Sequence, residues 1–107
     1  MVAIKSDIIE SINDPALSAK AVAARHGVSV RYVHKLFASE GQTFSQFVLT
    51  QRLSRVQRML MDPGFADHPV SSIAYACGFG DLSHFNRAFR RQYGATPTEV
   101  RAGGTVR

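Results

Sequence analysis

Arg31, His34 and Lys35 stand at i, i+3 and i+4 in SVRYVHKLF, so a helix over this stretch gathers them on one face. They supply a bidentate donor fork, a ring that can donate or accept, and a compact cation. The spacing returns later in the chain. Ser83, Asn86 and Arg87 hold the same relation in DLSHFNRAFRRQY, with His84 at the edge of the face and Arg90 and Arg91 one turn on. Such groups suit a target that presents planar hydrogen-bonding edges between rows of anions. The major groove of DNA is such a target. Arg31 is a candidate for bidentate pairing with guanine, Lys35 for guanine or phosphate, and Asn86 for adenine. His34 leaves its base preference open, and His84 is a candidate for base or phosphate. Arg87 has two readings, as a DNA contact or as a structural group held by Asp67 or Asp81. The plain alternative for either face is a solvated helix surface, and the recurrence of the pattern weighs against it.

Each face needs a helix with a core on its other side. In the later stretch Leu82, Phe85, Ala88, Phe89 and Tyr93 recur at helical spacing and form an apolar spine. Asp81 is the expected N-cap and Gly94 the stop. In the earlier stretch Ser29 caps a helix running to about Ser39, with Val33, Leu36 and Phe37 inward. A shorter helix precedes each. Ser18 caps one over Ala19 to Arg25 or His26, closed by Gly27. Ile73, Ala74 and Cys77 mark the other, closed by Gly78. The two stretches align throughout: Val22 with Ile73, Gly27 with Gly78, Ser29 with Asp81, Val33 with Phe85, and Phe37 with Phe89. The second copy has one extra residue in its turn. A repeated helix, Gly turn and helix is a much stronger signal than a single one.

The remaining segments connect these units. Ile4, Ile8, Ile9 and Ile12 predict a first helix with an isoleucine stripe, broken at Asn13-Asp14-Pro15. A long helix without Gly or Pro is expected from Phe44 to about Met61, with Thr43 as its N-cap. Phe44, Phe47, Val48, Leu53, Val56, Met59 and Leu60 give it a broad apolar face. Asp62-Pro63-Gly64 ends it, a loop follows over Phe65 to Pro69, and Val70 to Ser72 opens the next helix. Thr96-Pro97 starts a last one. No stretch reads as a strand. The expectation is an all-α fold of two helix-turn-helix, homeodomain-like units joined by a long central helix. The boundaries are residues 1–42 for the first unit, 43–62 for the connecting helix and 63–107 for the second unit. At ~1.5 Å per residue the connecting helix is roughly 27 Å long. Major-groove faces on one side of B-DNA recur every ~34 Å. With side-chain reach added, one chain could read two adjacent groove segments.

Composition narrows the alternatives. The chain has 107 residues, 45% hydrophobic, with net charge +5 and a pI near 10.0. That supports one compact domain or two very small ones, and an anionic partner. No apolar run approaches the ~18 residues of a membrane span, and no signal peptide is expected. The single cysteine excludes an internal disulfide. Cys77 sits on an apolar face, which suits a buried structural residue better than a nucleophile. The four histidines show no metal-ligand spacing with Asp, Glu or Cys77, and no Gly-rich phosphate loop follows a strand. No catalytic residue, metal or cofactor is expected. Phe37, Phe44, Phe85 and Phe89 fall at core spacing, so a base-stacking surface for RNA is a poor reading. Phosphate contacts are expected at helix starts and from flanking cations, with Thr43, Ser45, Thr96, Arg90 and Arg91 as candidates. On the long helix Arg52 reads as a phosphate contact or a structural ion-pair member, and Arg55 and Arg58 as phosphate contacts or solvated face, while Lys20 and Arg25 read as solvated. The competing functional reading is a helical protein-interaction module with only non-specific DNA affinity.

The second unit, IAYACGFGDLSHFNRAFRRQYGATPTEVR, resembles the DNA-binding domain of the AraC/XylS family of transcription regulators. The matching positions are Ile73-Ala74, Gly78-Phe79, Ser83 with Phe85, Arg87 and Phe89, Gly94 with Pro97, and the closing Arg101. The first unit fits in register through Leu17-Ser18, Val22-Ala23, Ser29, Leu36-Phe37, Gly41 and Phe44, followed by Arg52-Leu53. The resemblance covers about Leu17 to Arg101. It implies a seven-helix fold, asymmetric promoter DNA as partner, and usually activation of transcription, with RNA polymerase as a candidate partner. It also places Arg31, His34 and Lys35 where the family reads bases. Such a domain is expected to be cytoplasmic and nucleoid-associated, monomeric alone and dimeric in a full-length regulator. Most members carry an N-terminal effector or dimerisation domain, and nothing here could be one. The chain is then either a stand-alone short member or the C-terminal piece of a longer, effector-responsive regulator, and because it opens directly into its first helix the piece is the favoured expectation.

Overall fold

The computed structural model describes residues 1–103. Among them are seven α-helices and no strand: α1 Val2–Glu10, α2 Ala19–Arg25, α3 Val30–Ala38, α4 Phe44–Leu60, α5 Val70–Ala76, α6 Leu82–Tyr93 and α7 Pro97–Arg101. A single 3-10 turn, Pro63–Phe65, lies between α4 and α5. The chain divides into two compact units, Met1–Gln51 and a second that begins at Arg52, so the division falls inside α4.

In the first unit Ile4, Ile8 and Ile12 are buried with Val22, Ala23, Val33, Phe37, Phe44, Phe47 and Val48. Phe37 is the hub of its aromatic packing, with ring centroids 5.9 Å from Phe44 and 5.2 Å from Phe47. The isoleucine stripe is narrower than the sequence suggests. Ile9 is 48% exposed, because one residue past Ile8 turns a helix by ~100° and carries the side chain off the core face. The helix also stops at Glu10, and Ile12 reaches the core from the turn beyond it. The starts of α2 and α3 follow from their caps. Ser18 Oγ accepts from the Ala21 N–H at 3.1 Å, and Ser29 Oγ from the Tyr32 N–H at 3.0 Å. At α4, Thr43 Oγ1 accepts from the Gln46 N–H at 3.0 Å while Gln46 Oε1 accepts from the Thr43 N–H at 2.8 Å. This reciprocal pair satisfies two backbone donors at once.

Polar ties fasten α1 to the rest of the unit. Asp7 Oδ2 accepts from Arg25 Nε at 2.9 Å and lies 2.9 Å from His26 Nε2. Lys5 Nζ pairs with Glu40 at 2.6 Å and lies over the Phe47 ring, 5.6 Å from its centroid. Arg25, expected to be merely solvated, is thus an ion-pair member, since α1 docks beside the end of α2. Partial desolvation raises the Asp7 carboxyl, but the hydrogen bonds and charges of Arg25 and His26 outweigh it. They hold it below its ordinary value of 3.8. A depressed carboxylate adds stability above the unfolded-state value and loses it as pH falls through the folded one. Asp7→Asn is therefore expected to lower the stability of the first unit at pH 7 by about 0.5–1 kcal/mol, the scale of a partly exposed pair. The gap between the variant and the parent should close as pH falls through and below the ordinary carboxylate range. Urea unfolding across pH checks both; a gap that stays constant through that range would contradict the charge argument.

In the second unit Leu53, Val56, Leu60, Ile73, Ala74, Cys77, Phe79, Phe85, Phe89, Tyr93 and Val100 are buried. Phe79, Phe85, Phe89 and Tyr93 form a continuous aromatic row, with successive centroids 4.9, 5.8 and 4.7 Å apart. Cys77 is buried with its sulfur 3.5 Å from Met59 Sδ, and burial raises its thiol pKa, as befits a packing residue. The Asp62-Pro63-Gly64 stop after α4 is drawn into the 3-10 turn, which reaches one residue into the expected loop, because Asp62 Oδ1 accepts from the Gly64 N–H at 2.9 Å. Thr96 and Glu99 form a capping box at α7, with Pro97 at the first helical position. The family-pattern residue Arg101 is structural here, donating from Nη2 to the Phe65 carbonyl at 3.4 Å.

Candidate nucleic-acid interface

The repeat read from the sequence is a structural repeat. Gly27 and Gly78 both take positive φ, 65° and 97°, a conformation that side-chain-bearing residues adopt at a cost. Ser29 and Asp81 both cap the helix that follows. Val33, Phe37, Phe85 and Phe89 are all fully buried. With those inward anchors fixed, helical geometry sends the intervening residues outward.

On α3, Arg31, His34 and Lys35 are all exposed. Among the described residues none of the three takes part in a salt bridge. The neighbouring acid Glu40 is taken up by Lys5. The face is therefore cationic, with its donors turned to solvent. On α6, Ser83, His84, Asn86 and Arg87 are exposed, as are Arg90 and Arg91 in the last turn. The Phe79 ring meets the His84 ring edge-on, with centroids 6.5 Å apart, and so steadies it. Of the two readings of Arg87, the one with a carboxylate clamp finds no salt bridge among the described residues. Arg87 acts on Asp81 only as a nearby charge.

The helix starts differ in charge. Ser29, the α3 cap, is neutral. The α6 cap, Asp81, is a carboxylate held below its ordinary pKa, first by the His84 N–H and also by the Ser83 N–H and the charges of His84 and Arg87. An anion approaching α6 at its N-terminus meets that charge, whereas the α3 terminus offers its positive dipole end unopposed. The phosphate candidates divide in the same way. Thr43 and Ser45 are exposed at the start of α4, where the box partner Gln46 is neutral. Thr96 is half-buried and boxed by Glu99. The Thr96 N–H and side chain keep that carboxyl ionised below its ordinary range.

Two features of this surface escape the sequence. Gln46, the partner that orders Thr43, stands at the fourth position of a Thr-x-x-Gln capping box, and that spacing is the signal that could have found it. Tyr32 is 49% exposed on α3, and nothing in the pattern separates it from a core aromatic. The available signal is its alignment with His84.

A model of a family described as a helix-turn-helix domain matches residues 22–103. The chain is 39% identical over 101 residues to the transcriptional activator RhrA of Rhizobium meliloti (strain 1021), covering 94% of this chain and 32% of RhrA. It spans between about a quarter and a third of the length of the curated relatives it matches. A solved transcriptional regulator from Chromobacterium violaceum, with an AraC-type DNA-binding domain, has 30% identity and a TM-score of 0.79. That match covers 94% of this chain and 88% of the other. The DNA-binding domain of AdpA, a global transcriptional factor solved in complex with a target DNA, has 29% identity and a TM-score of 0.83. It covers 95% of this chain and 89% of the AdpA domain. No helix of the described residues is long and apolar enough to cross a membrane. The chain belongs to the AraC/XylS-type helix-turn-helix family, a non-enzymatic DNA-binding domain of transcription regulators.

Proposed function

We propose that this domain recognises a specific double-stranded promoter sequence by placing α3 and α6 in two major-groove segments about one helical turn apart. The observation that carries the reading is the duplicated arrangement: a capped helix, a fully buried aromatic inner side, and exposed hydrogen-bonding side chains outside it. Arg31, His34 and Lys35 read bases from α3, and Ser83, His84, Asn86 and Arg87 from α6. Thr43, Ser45, Arg90 and Arg91 fix the register on phosphates. Thr96 contributes only its hydroxyl, since Glu99 places a negative charge at that helix start. The cationic α3 face carries more of the specificity than the more neutral start of α6. Bipartite reading by a monomer rests on the presence of two such faces in one chain. RhrA is named as a transcriptional activator. By analogy, RNA polymerase is the proposed protein partner at the promoter, in the cytoplasm.

Competition binding with a salt titration tests this. Binding to a preferred duplex should persist at physiological salt against excess random duplex, with log K falling steeply and linearly in log salt. Equal affinity for every duplex would reduce the domain to a helical module with non-specific DNA affinity.

A further inference from the structure

Tyr32 is the one large aromatic on the α3 surface, half-exposed beside Arg31 and three residues from Lys35. Its backbone is fixed as that of its repeat partner is. The Tyr32 N–H donates to Ser29 Oγ at 3.0 Å, and the His84 N–H to Asp81 Oδ1 at 3.1 Å. Both residues are third in their helices, so both side chains leave the first turn at the same point relative to the cap. Among the described residues the Tyr32 ring joins none of the aromatic pairs. No hydrogen bond there occupies its hydroxyl. Val33 and Phe37 fix the buried side of α3, and at ~100° per residue Tyr32 falls at the rim of the cationic face rather than at its centre. A phenol in that position can donate its O–H to an anion that the flanking cations and the helix dipole already attract. The uncharged Ser29 cap keeps that approach open, where Asp81 obstructs it in the second unit.

We propose that Tyr32 is a DNA-contacting residue whose phenolic O–H donates to a backbone phosphate oxygen at the rim of the groove read by α3. This rests on the DNA reading proposed above. The contact neutralises no charge, so it adds affinity on any sequence without releasing a counterion, unlike a Lys or Arg contact.

The test compares the parent chain with Tyr32→Phe and Tyr32→Ala on a preferred duplex, single-base variants of it and random duplex, over a range of salt. Tyr32→Phe should weaken binding about five- to tenfold on every duplex. It should leave the slope of log K against log salt, the ranking of duplexes and the thermal midpoint unchanged. Tyr32→Ala should lose at least as much. Parental affinity in Tyr32→Phe would overturn the proposal, and so would a loss confined to one base pair, which would make Tyr32 a base reader. If the parent itself prefers no duplex, the functional reading fails and this inference with it. A selective parent with an unaffected Tyr32→Phe refutes the inference alone.

Discussion

Phe89→Ala is expected to destabilise the second unit by about 3–5 kcal/mol, the range for truncating a buried aromatic. Phe89 is 0% exposed and lies between Phe85 and Tyr93, with centroids 5.8 and 4.7 Å away. Removing it opens a cavity in the middle of the aromatic row, and the two flanking rings, both buried, collapse into it only in part. Whole domains are stable by only about 5–15 kcal/mol, so the loss is a large share of what holds α6 in place. Urea unfolding followed by helical signal should show the transition of the second unit moved to much lower denaturant. An unchanged midpoint would remove Phe89 from the core. DNA binding should fall as well, because the outward residues of α6 are placed by what anchors its inner side.

Arg31→Ala has the largest expected effect on recognition. If Arg31 takes guanine O6 and N7 together, its loss costs about 1–3 kcal/mol of binding and relaxes one base position. The exposed guanidinium has no salt-bridge partner to leave unpaired among the described residues. Stability should therefore stay near that of the parent, and the effect should appear in binding alone. Affinity measured on the preferred duplex and its single-base variants checks this. Equal loss on every duplex would make Arg31 a phosphate contact, and no loss would take it out of the interface.

What the sequence discloses and what it hides follow from range. N-caps act within a single turn, so Ser18, Ser29, Asp81 and Thr96 could be assigned from local pattern, and each makes its capping bond. The repeat doubled every inference about the core, and Val33, Phe37, Phe85 and Phe89 are all buried as their spacing requires. Ile9 misled because four isoleucines in nine residues look like one stripe, whereas i and i+1 lie ~100° apart. The ties of Asp7 to Arg25 and His26 join residues 18 and 19 apart. They exist only once α1 has docked, and no local pattern announces them. At the candidate interface the spacing of Arg31, His34 and Lys35 was enough to place them on an exposed face. Tyr32 was hidden because helical aromatics usually face inward. Only exposure in the folded unit, read with its alignment to His84, separates it from the core.

Selection of bound sequences from a random duplex pool, with this chain alone at about 150 mM salt, tests the central claim most directly. The expected product is an asymmetric motif with two read segments about one helical turn apart, the segment weakened by Arg31→Ala being the more strongly specified. A pool with no enriched motif would contradict sequence reading by this domain. A single short motif would contradict bipartite reading and leave one recognition helix as a phosphate grip.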